Sequence, residues 1–198
     1  MRLSQNWHPF FLQGTKTLAY ELWEDLGFRA PDNVIIPSGA GSNILGLDLG
    51  FSELMRAGEI TRLPRLFCAQ PLLCSPIATA ILDALGTPDN KAAPGEWNTP
   101  DKTMAEGTSI ARPVRLAECI DAVVRSKGGA VRVSEKDIGA TTLELASIGL
   151  YTEPTCAQAA AAYRELLASG TIRPDETTVI ILTSTGAKAT PSIAAMLQ

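Results

Sequence analysis

The sequence has 198 residues, and its 45% hydrophobic and 19% charged content is ordinary for a globular protein and excludes a disordered chain. A net charge of −4 offers no basic stripe, so we expect no nucleic-acid partner. Four cysteines without CxxC spacing and a single histidine give no candidate metal site.

Helical and strand patterns alternate along the chain. Apolar residues recur at helical spacing in some segments, and short β-branched apolar runs separate them. The predicted elements are, in chain order, a helix after Gly14, a strand at 33–37, a helix from 43 to about 57, a strand at 65–69, helices at 76–85 and about 114–125, a strand at 130–133, a helix capped by Ser134, a helix at 154–168 and a strand at 177–182.

The segment from Gly86 to Gly107 interrupts this alternation. It is rich in Pro, Gly, Asn, Asp and Thr, so we predict a long loop at about 86–107. A loop of this length in a compact domain is often functional.

Strands that alternate with helices predict right-handed crossovers and therefore an α/β fold, with three layers and a mostly parallel sheet covered by helices on both faces. Ligands of such sheets bind beyond the carboxyl ends of the strands. Two segments rich in Gly, Ser and Thr follow strand ends, namely 38–43 and 183–186. These two segments are therefore the candidate site.

The segment 38–43 reads Ser-Gly-Ala-Gly-Ser-Asn. Two glycines let backbone N–H groups converge on an anion, and the following helix adds its positive end. The spacing matches neither GxGxxG nor a P-loop, and a tight strand-to-helix connection explains the pattern as well as a phosphate site does.

The other candidates are also ambiguous from their residues alone. A hydroxyl in 183–186 can hydrogen-bond a heterocyclic nitrogen or cap the next turn. Glu106, beside Gly107, fits a helix cap, a surface charge or a site residue.

Seven segments, in this order and spacing, carry a family resemblance. They are Pro9–Thr17, Val34–Asn43, Gly50–Leu54, Leu63–Leu66, Thr103–Gly107, Glu153–Thr155 and Leu182–Gly186. Together they resemble the threonine synthase branch of the fold-type-II pyridoxal-phosphate enzymes. The resemblance implies the fold of the tryptophan synthase β-subunit in incomplete form, with residues 1–198 as a large-domain portion and pyridoxal 5′-phosphate as cofactor.

The resemblance also implies roles for particular residues. The phosphate would be held by the backbone amides of Gly39, Ala40, Gly41, Ser42 and Asn43 and by the side chains of the last two. Thr183 would offer its hydroxyl to the pyridine nitrogen, and this neutral partner suits elimination and replacement chemistry because it leaves the ring less protonated than a carboxylate would. Glu106 and Ser184 would lie near the cofactor or the substrate.

Two departures from the family pattern stand out. The family's Schiff-base lysine lies in a segment before the first residue of this sequence, so we expect no catalytic residue in this chain. None of its lysines matches that motif: Lys16, Lys91, Lys102, Lys127, Lys136 and Lys188. In addition, Phe11 stands where threonine synthases place an arginine for the substrate phosphate, which weakens phosphohomoserine as the substrate.

The leading functional hypothesis is part of a threonine synthase-like lyase or synthase that acts on an amino acid by β- or γ-elimination or replacement. It would be inactive alone and completed by a complementary chain, or it would form a homo-oligomer. Threonine or serine dehydratase, diaminopropionate ammonia-lyase and cysteate synthase are catalytic alternatives. A non-catalytic phosphate- or cofactor-binding domain, degenerate or regulatory, is the alternative from another class, and a truncated piece is a third.

The expected location is the cytoplasm. No apolar segment of signal-peptide type precedes His8, and the longest uncharged stretch, 66–82, contains two prolines and is too short to span a membrane. We therefore expect no membrane partner.

Overall fold

The computed structural model describes residues 6, 8, 10–87 and 103–197. The helices are α1 (Phe11–Thr15), α2 (Thr17–Asp25), α3 (Ser42–Arg56), α4 (Pro76–Ala84), α5 (Leu116–Arg125), α6 (Glu135–Ser147), α7 (Pro154–Ala168) and α8 (Thr190–Ala195). The strands are β1 (Asn33–Pro37), β2 (Arg65–Pro71), β3 (Gly129–Val133) and β4 (Thr178–Ile180). Short 3-10 helices span Glu106–Thr108 and Gly186–Ala189.

The four described strands form one parallel sheet in the order β3-β2-β1-β4. In the centre of the sheet Ile35 pairs with Phe67 on one side and with Ile180 on the other, and Phe67 pairs with Gly129. The α/β fold with a parallel sheet, predicted from the alternation of elements, is confirmed.

Two apolar cores lie on opposite faces of the sheet, because side chains alternate along each strand. Val34 and Ile36 of β1 face a core that contains residues of α2, α3, α4 and α5. Ile35 and Phe67 face a second core built with α6 and α7. Both faces are thus covered, which explains why Val34, Ile35 and Ile36 of β1 form a continuous apolar run and confirms the predicted three layers.

Several local features differ from the sequence-based expectation. The structure adds α1, both 3-10 helices and α8, none of which was predicted. No residue of α1 is buried, so this helix carries no apolar stripe for pattern analysis to find. Strand β4 is shorter than the predicted 177–182, although the Ile181 N–H still donates to the Ile35 carbonyl at 3.0 Å.

Residues 88–102 of the predicted long loop lie outside the described residues. Its described end is fixed to the first residue of α6, where Thr103 Oγ1 and the Met104 N–H donate to the two carboxylate oxygens of Glu135 at 2.8 Å each. This anchor brings Glu106 and Gly107 back to the sheet. Among the described helices, none has the length and apolarity that a membrane span requires.

Candidate functional site

A cavity of about 170 Å3 opens where β1 and β4 end. Its lining residues are Pro37, Ser38, Gly39, Gly41, Ser42, Asn43, Gly107, Thr108, Thr155 and Thr183. None of these side chains is charged. An anion in this cavity would therefore be held by backbone amides, hydroxyls and a helix end rather than by ion pairs.

The turn after β1 leaves the N-terminus of α3 open to the cavity. Gly41, the N-cap residue, has φ of 82°, and no side chain caps the helix. The first turn carries no acidic residue, and the first bond within the helix runs from the Leu45 N–H to the Gly41 carbonyl at 3.1 Å. The N–H groups before Leu45 have no acceptor within the helix, so they are available to an anion.

Helix α6 shows the opposite arrangement. Ser134 accepts a hydrogen bond from the Asp137 N–H at 3.1 Å, and Glu135 and Asp137 lie in the first turn. Its positive end is thus neutralised by its own residues, as the sequence predicted from the Ser134 cap. The uncapped start of α3 is where the sequence analysis expected a phosphate.

Glycines let the turn pack closely against its neighbours. A Cβ atom on Gly39 would lie 3.1 Å from the carbonyl oxygen of Gly107. A Cβ atom on Gly41 would lie 2.2 Å from Sγ of Cys119 on α5. At Gly41 only a residue without a side chain fits, and at Gly39 a Cβ atom would require its neighbours to move by a few tenths of an ångström. Glycine at both positions therefore lets the turn present amide groups to the cavity.

The opposite wall is a hydrogen-bonded unit that the sequence analysis did not assign to the site. Thr155 Oγ1 accepts the Gly107 N–H at 3.1 Å. The fully buried Gln158 donates to Thr108 Oγ1 at 3.0 Å and to the Thr155 carbonyl at 2.8 Å. The sequence did contain a signal for these site residues, because Gly107 and Thr155 both fall in segments that carry the family resemblance.

Thr183, three residues after the end of β4, lines the same cavity. Its Oγ1 lies 3.3 Å from Sγ of Cys156. That thiol also accepts the Ser184 N–H at 3.0 Å and donates to the Ser184 carbonyl at 3.3 Å. Cys156 is buried, as expected, but it also holds the strand-end segment that carries the Thr183 hydroxyl.

The structure brings most of the predicted site residues together. Gly39, Gly41, Ser42, Asn43 and Thr183 line the cavity. The carbonyl of Ala40, between two lining glycines, accepts a hydrogen bond from Asn6 Nδ2. Two predicted neighbours are not lining residues: Ser184 contacts Cys156 through its backbone, and Glu106 is exposed at the start of the 3-10 helix that continues into the cavity wall.

The described lysines lie elsewhere. Lys16, Lys127, Lys136 and Lys188 are not among the lining residues, and Lys16 binds both carboxylate oxygens of Glu53 at 3.0 and 2.9 Å. Lys91 and Lys102 lie outside the described residues. Phe11, in α1, is 37% exposed and does not line the cavity.

Neutral thiols lie close to the turn. Burial raises the pKa of Cys68 and of Cys119 to about 12 in each case. Both groups therefore remain protonated at neutral pH and add no negative charge near an anion. No three His, Cys, Asp or Glu side chains in the part of the chain that the structure describes are grouped to hold a metal ion.

Comparison with known proteins identifies the family. A profile described as pyridoxal-phosphate dependent enzyme matches residues 1–184. The chain belongs to this family. Its resemblance to the family, its fold class and the cofactor that the resemblance implied are thereby confirmed, since the family uses pyridoxal phosphate.

Threonine synthases are among the relatives of this family member. The protein from Methanocaldococcus jannaschii is 33% identical over 184 residues, which cover 91% of this chain and 43% of that protein. The protein from Methanosarcina acetivorans is 33% identical over 177 residues, which cover 89% and 42%. The chain therefore spans less than half the length of these curated relatives.

Solved structures of the family share the fold. An L-serine ammonia-lyase from Rhizomucor miehei superposes with a TM-score of 0.73 at 16% identity, covering 96% of this chain and 56% of that one. Threonine synthase from Escherichia coli superposes with a TM-score of 0.64 at 20% identity, covering 94% and 40%.

The residues of the cavity fit the phosphate group of the cofactor. The uncapped helix start, the side chains of Ser42 and Asn43 and the hydroxyl of Thr155 are all donors, and no acidic side chain lines the cavity. Glycine at 39 and 41 lets the backbone itself form the cradle, because the positions of Cβ atoms there are crowded by Gly107 and Cys119.

Proposed function

We propose that this chain is the large-domain, cofactor-holding part of a threonine synthase-like lyase or synthase that acts on an amino acid by β- or γ-elimination or replacement. One observation carries the proposal: a single cavity contains both the uncapped N-terminus of α3 and Thr183. A phosphate donor set and a hydroxyl at the rim of the same cavity match the two ends of pyridoxal phosphate.

The turn would bind the phosphate. The N–H groups of Gly39 and Gly41, with those of the first turn of α3, would converge on the phosphate, and the side chains of Ser42 and Asn43, which line the cavity, would add donors. The site would hold the dianion without a cation, so its strength would come from many short hydrogen bonds to charged oxygen atoms.

Thr183 would orient the pyridine ring. Its hydroxyl offers a neutral hydrogen bond, and Cys156 keeps the segment in place through the backbone of Ser184. Bound pyridoxal phosphate supplies an electron sink for reactions at the α-carbon of an amino acid. A neutral partner moderates that sink, as eliminations and replacements require.

We propose that the lysine comes from polypeptide that this sequence does not include, either a complementary chain or more of the same protein. None of the described lysines lines the cavity, and the relatives are more than twice as long as the matched part. The cavity of about 170 Å3 is also smaller than the roughly 300–1,000 Å3 typical of small-molecule sites, which fits a site with a further wall. Alone, the chain would bind cofactor and remain inactive.

The substrate is proposed to be an amino acid. Two threonine synthases are each 33% identical to this chain, whereas Phe11, where the family resemblance would place an arginine, lacks the charge that a phosphorylated substrate requires. Serine or threonine deamination is therefore the main catalytic alternative, and one of the structural relatives is an L-serine ammonia-lyase.

Calorimetric titration of the chain with pyridoxal phosphate tests the proposal. We expect saturable binding of one cofactor per chain, competed by inorganic phosphate and abolished by Gly41→Asp, whose side chain would displace the turn from Cys119 and add a negative charge beside it. A chain that shows no saturable binding, or binding that Gly41→Asp leaves intact, would contradict the assignment.

A second candidate function is a non-catalytic cofactor- or phosphate-binding domain. It is favoured by one observation, that no described lysine lines the cavity. The two functions are separated by adding a polypeptide that carries the lysine-bearing segment of a threonine synthase, followed by borohydride reduction and mass spectrometry. Cofactor fixed to that lysine and amino-acid turnover support the enzyme, whereas binding without either supports the non-catalytic domain.

A further inference from the structure

We propose that two side-chain amides from outside the turn, those of Gln70 and Asn6, are positioning residues that direct the N–H groups of Gly39 and Gly41 into the cavity. They bind the carbonyls of Ser38 and Ala40, which alternate with the two glycines. The inference rests on the proposed function of the turn as a phosphate cradle.

Gln70 is a fully buried polar residue of β2, and the other buried residues of this strand are apolar. Its Nε2 donates to the Ser38 carbonyl at 2.9 Å. Its Oε1 accepts the N–H of Ala78, in the first turn of α4, at 2.9 Å. Because both ends of the amide are engaged, the side chain cannot rotate to bind the other group of the Ser38–Gly39 peptide.

The planarity of the peptide bond converts this contact into a direction. In a trans peptide the C=O of one residue and the N–H of the next point in opposite directions. The Ser38 carbonyl points to Gln70 in the interior, so the Gly39 N–H must point away from it. Gly39 lines the cavity, and its N–H is thereby presented to a ligand.

Asn6 acts in the same way two residues later. Its Nδ2 donates to the Ala40 carbonyl at 2.5 Å, and the backbone carbonyl of Asn6 accepts a hydrogen bond from Nε of Arg115 at 2.9 Å. Asn6 is 2% exposed. With the Ala40 carbonyl held on that side, the N–H of Gly41 points to the opposite side, where Gly41 lines the cavity.

These contacts matter because glycine peptides rotate easily. Without the amide of Gln70, the Ser38–Gly39 peptide can turn and place its carbonyl oxygen toward the phosphate. The hydrogen bond from the Gly39 N–H to the phosphate would then be replaced by repulsion between the Ser38 carbonyl oxygen and the phosphate. A hydrogen bond to a charged group contributes about 1.5–3 kcal/mol, so we expect a loss of roughly tenfold or more in phosphate affinity.

The test compares Gln70→Met and Asn6→Ala with the control Asn33→Leu. Asn33 is also fully buried on a strand, and its amide donates to Glu176 and Thr178 at the other end of the sheet. Binding of inorganic phosphate and of pyridoxal phosphate would be measured by calorimetry. Protein labelled with 15N-glycine would report the amide signals of Gly39 and Gly41, and thermal unfolding would report stability.

We expect phosphate to shift both glycine signals in the wild type. Gln70→Met should move the free Gly39 signal and weaken binding roughly tenfold, and Asn6→Ala should do the same at Gly41. Asn33→Leu should lower the unfolding temperature and leave the affinity unchanged.

Each outcome supports or overturns the positioning role of Gln70 and Asn6. Folded variants that bind as the wild type does overturn the inference and leave the proposed function intact. A wild type that binds neither ligand overturns both. If Gln70→Met does not fold, Asn6→Ala decides, and an equal loss of affinity in Asn33→Leu would show that the effect is one of stability alone.

Discussion

Gly41 and Cys119 are so close that a Cβ atom on the glycine would lie 2.2 Å from the thiol sulfur. Gly41 also has φ of 82°, a conformation that side chains disfavour. Two independent constraints therefore require glycine at the start of α3. They hold the turn against α5 in the shape that opens the helix N-terminus to the cavity.

Gly41→Ala should destabilise the protein by about 2–5 kcal/mol, because the left-handed conformation costs about 1–2 kcal/mol and overpacking about 1–3 kcal/mol. The control is Gly58→Ala: Gly58 has φ of 81°, and nothing lies within 4 Å of its Cβ position. Denaturant unfolding should show the smaller loss, about 1–2 kcal/mol, for Gly58→Ala. Equal losses at the two positions would mean that the contact with Cys119 costs nothing.

Thr183→Val should weaken binding of pyridoxal phosphate about fivefold, because a hydroxyl hydrogen bond contributes about 1 kcal/mol. Thr183 is exposed at the cavity, so stability should change little. Thr177→Val, at the opposite end of β4, is the matched control and should bind normally. Calorimetry on the three proteins checks this, and unchanged affinity in Thr183→Val would remove Thr183 from the ring-binding role.

Alkaline pH should destabilise the fold through the buried thiols. Burial raises the pKa of Cys68 and Cys119 from 9.0 to about 12, so between these values the folded state retains protons that the unfolded state has released. The free energy of unfolding should then fall by about 1.4 kcal/mol per pH unit for each thiol. Unfolding curves from pH 8 to 11 should show a slope that Cys119→Ala reduces, and an unaltered slope would contradict the raised pKa.

Acidic pH should lower the stability of the folded protein through Glu176. The pKa of this carboxyl is lowered, chiefly because it accepts the Arg173 N–H, and also through Asn33 and Arg65. Its contribution is present above the ordinary pKa of 4.5 and is lost as the pH falls through the lower folded-state value. Glu176→Gln should therefore be less stable than the wild type at pH 7, and the difference should shrink toward pH 3.

The matched control for this substitution is Glu21→Gln, at an exposed position of α2. Denaturant unfolding at each pH should show no such loss for this variant. A stability difference between the wild type and Glu176→Gln that stays constant from pH 7 to pH 3 would argue against the titration of Glu176.

The elements that pattern analysis located well are those with a strong local signal. The bounds of β1 and α7 match the prediction, because β1 is a continuous apolar run and α7 begins at a proline suited to a first helical position. Helix α1 was missed because none of its residues is buried. A helix that no core pattern marks leaves little trace in a sequence.

The candidate site was predicted only in part, because only some of its residues carry a local signal in the sequence. Glycine, serine and threonine at strand ends are visible in the sequence, and they include Gly41 and Thr183. Gln70 lies just after the predicted strand at 65–69 and was not singled out, and Thr155 was visible only as part of a family segment.

The sequence by itself thus determined the alternation of elements, the parallel sheet and the two strand ends where a ligand would bind, because hydrophobic periodicity and turn chemistry are local properties. The tertiary structure decided which groups meet there. Gln70 reaches Ser38 across 32 positions only because β2 lies beside β1 in one particular register, with Ala69 opposite Pro37. Partners of this kind depend on strand register and helix packing, and neither is written in any single segment of the chain.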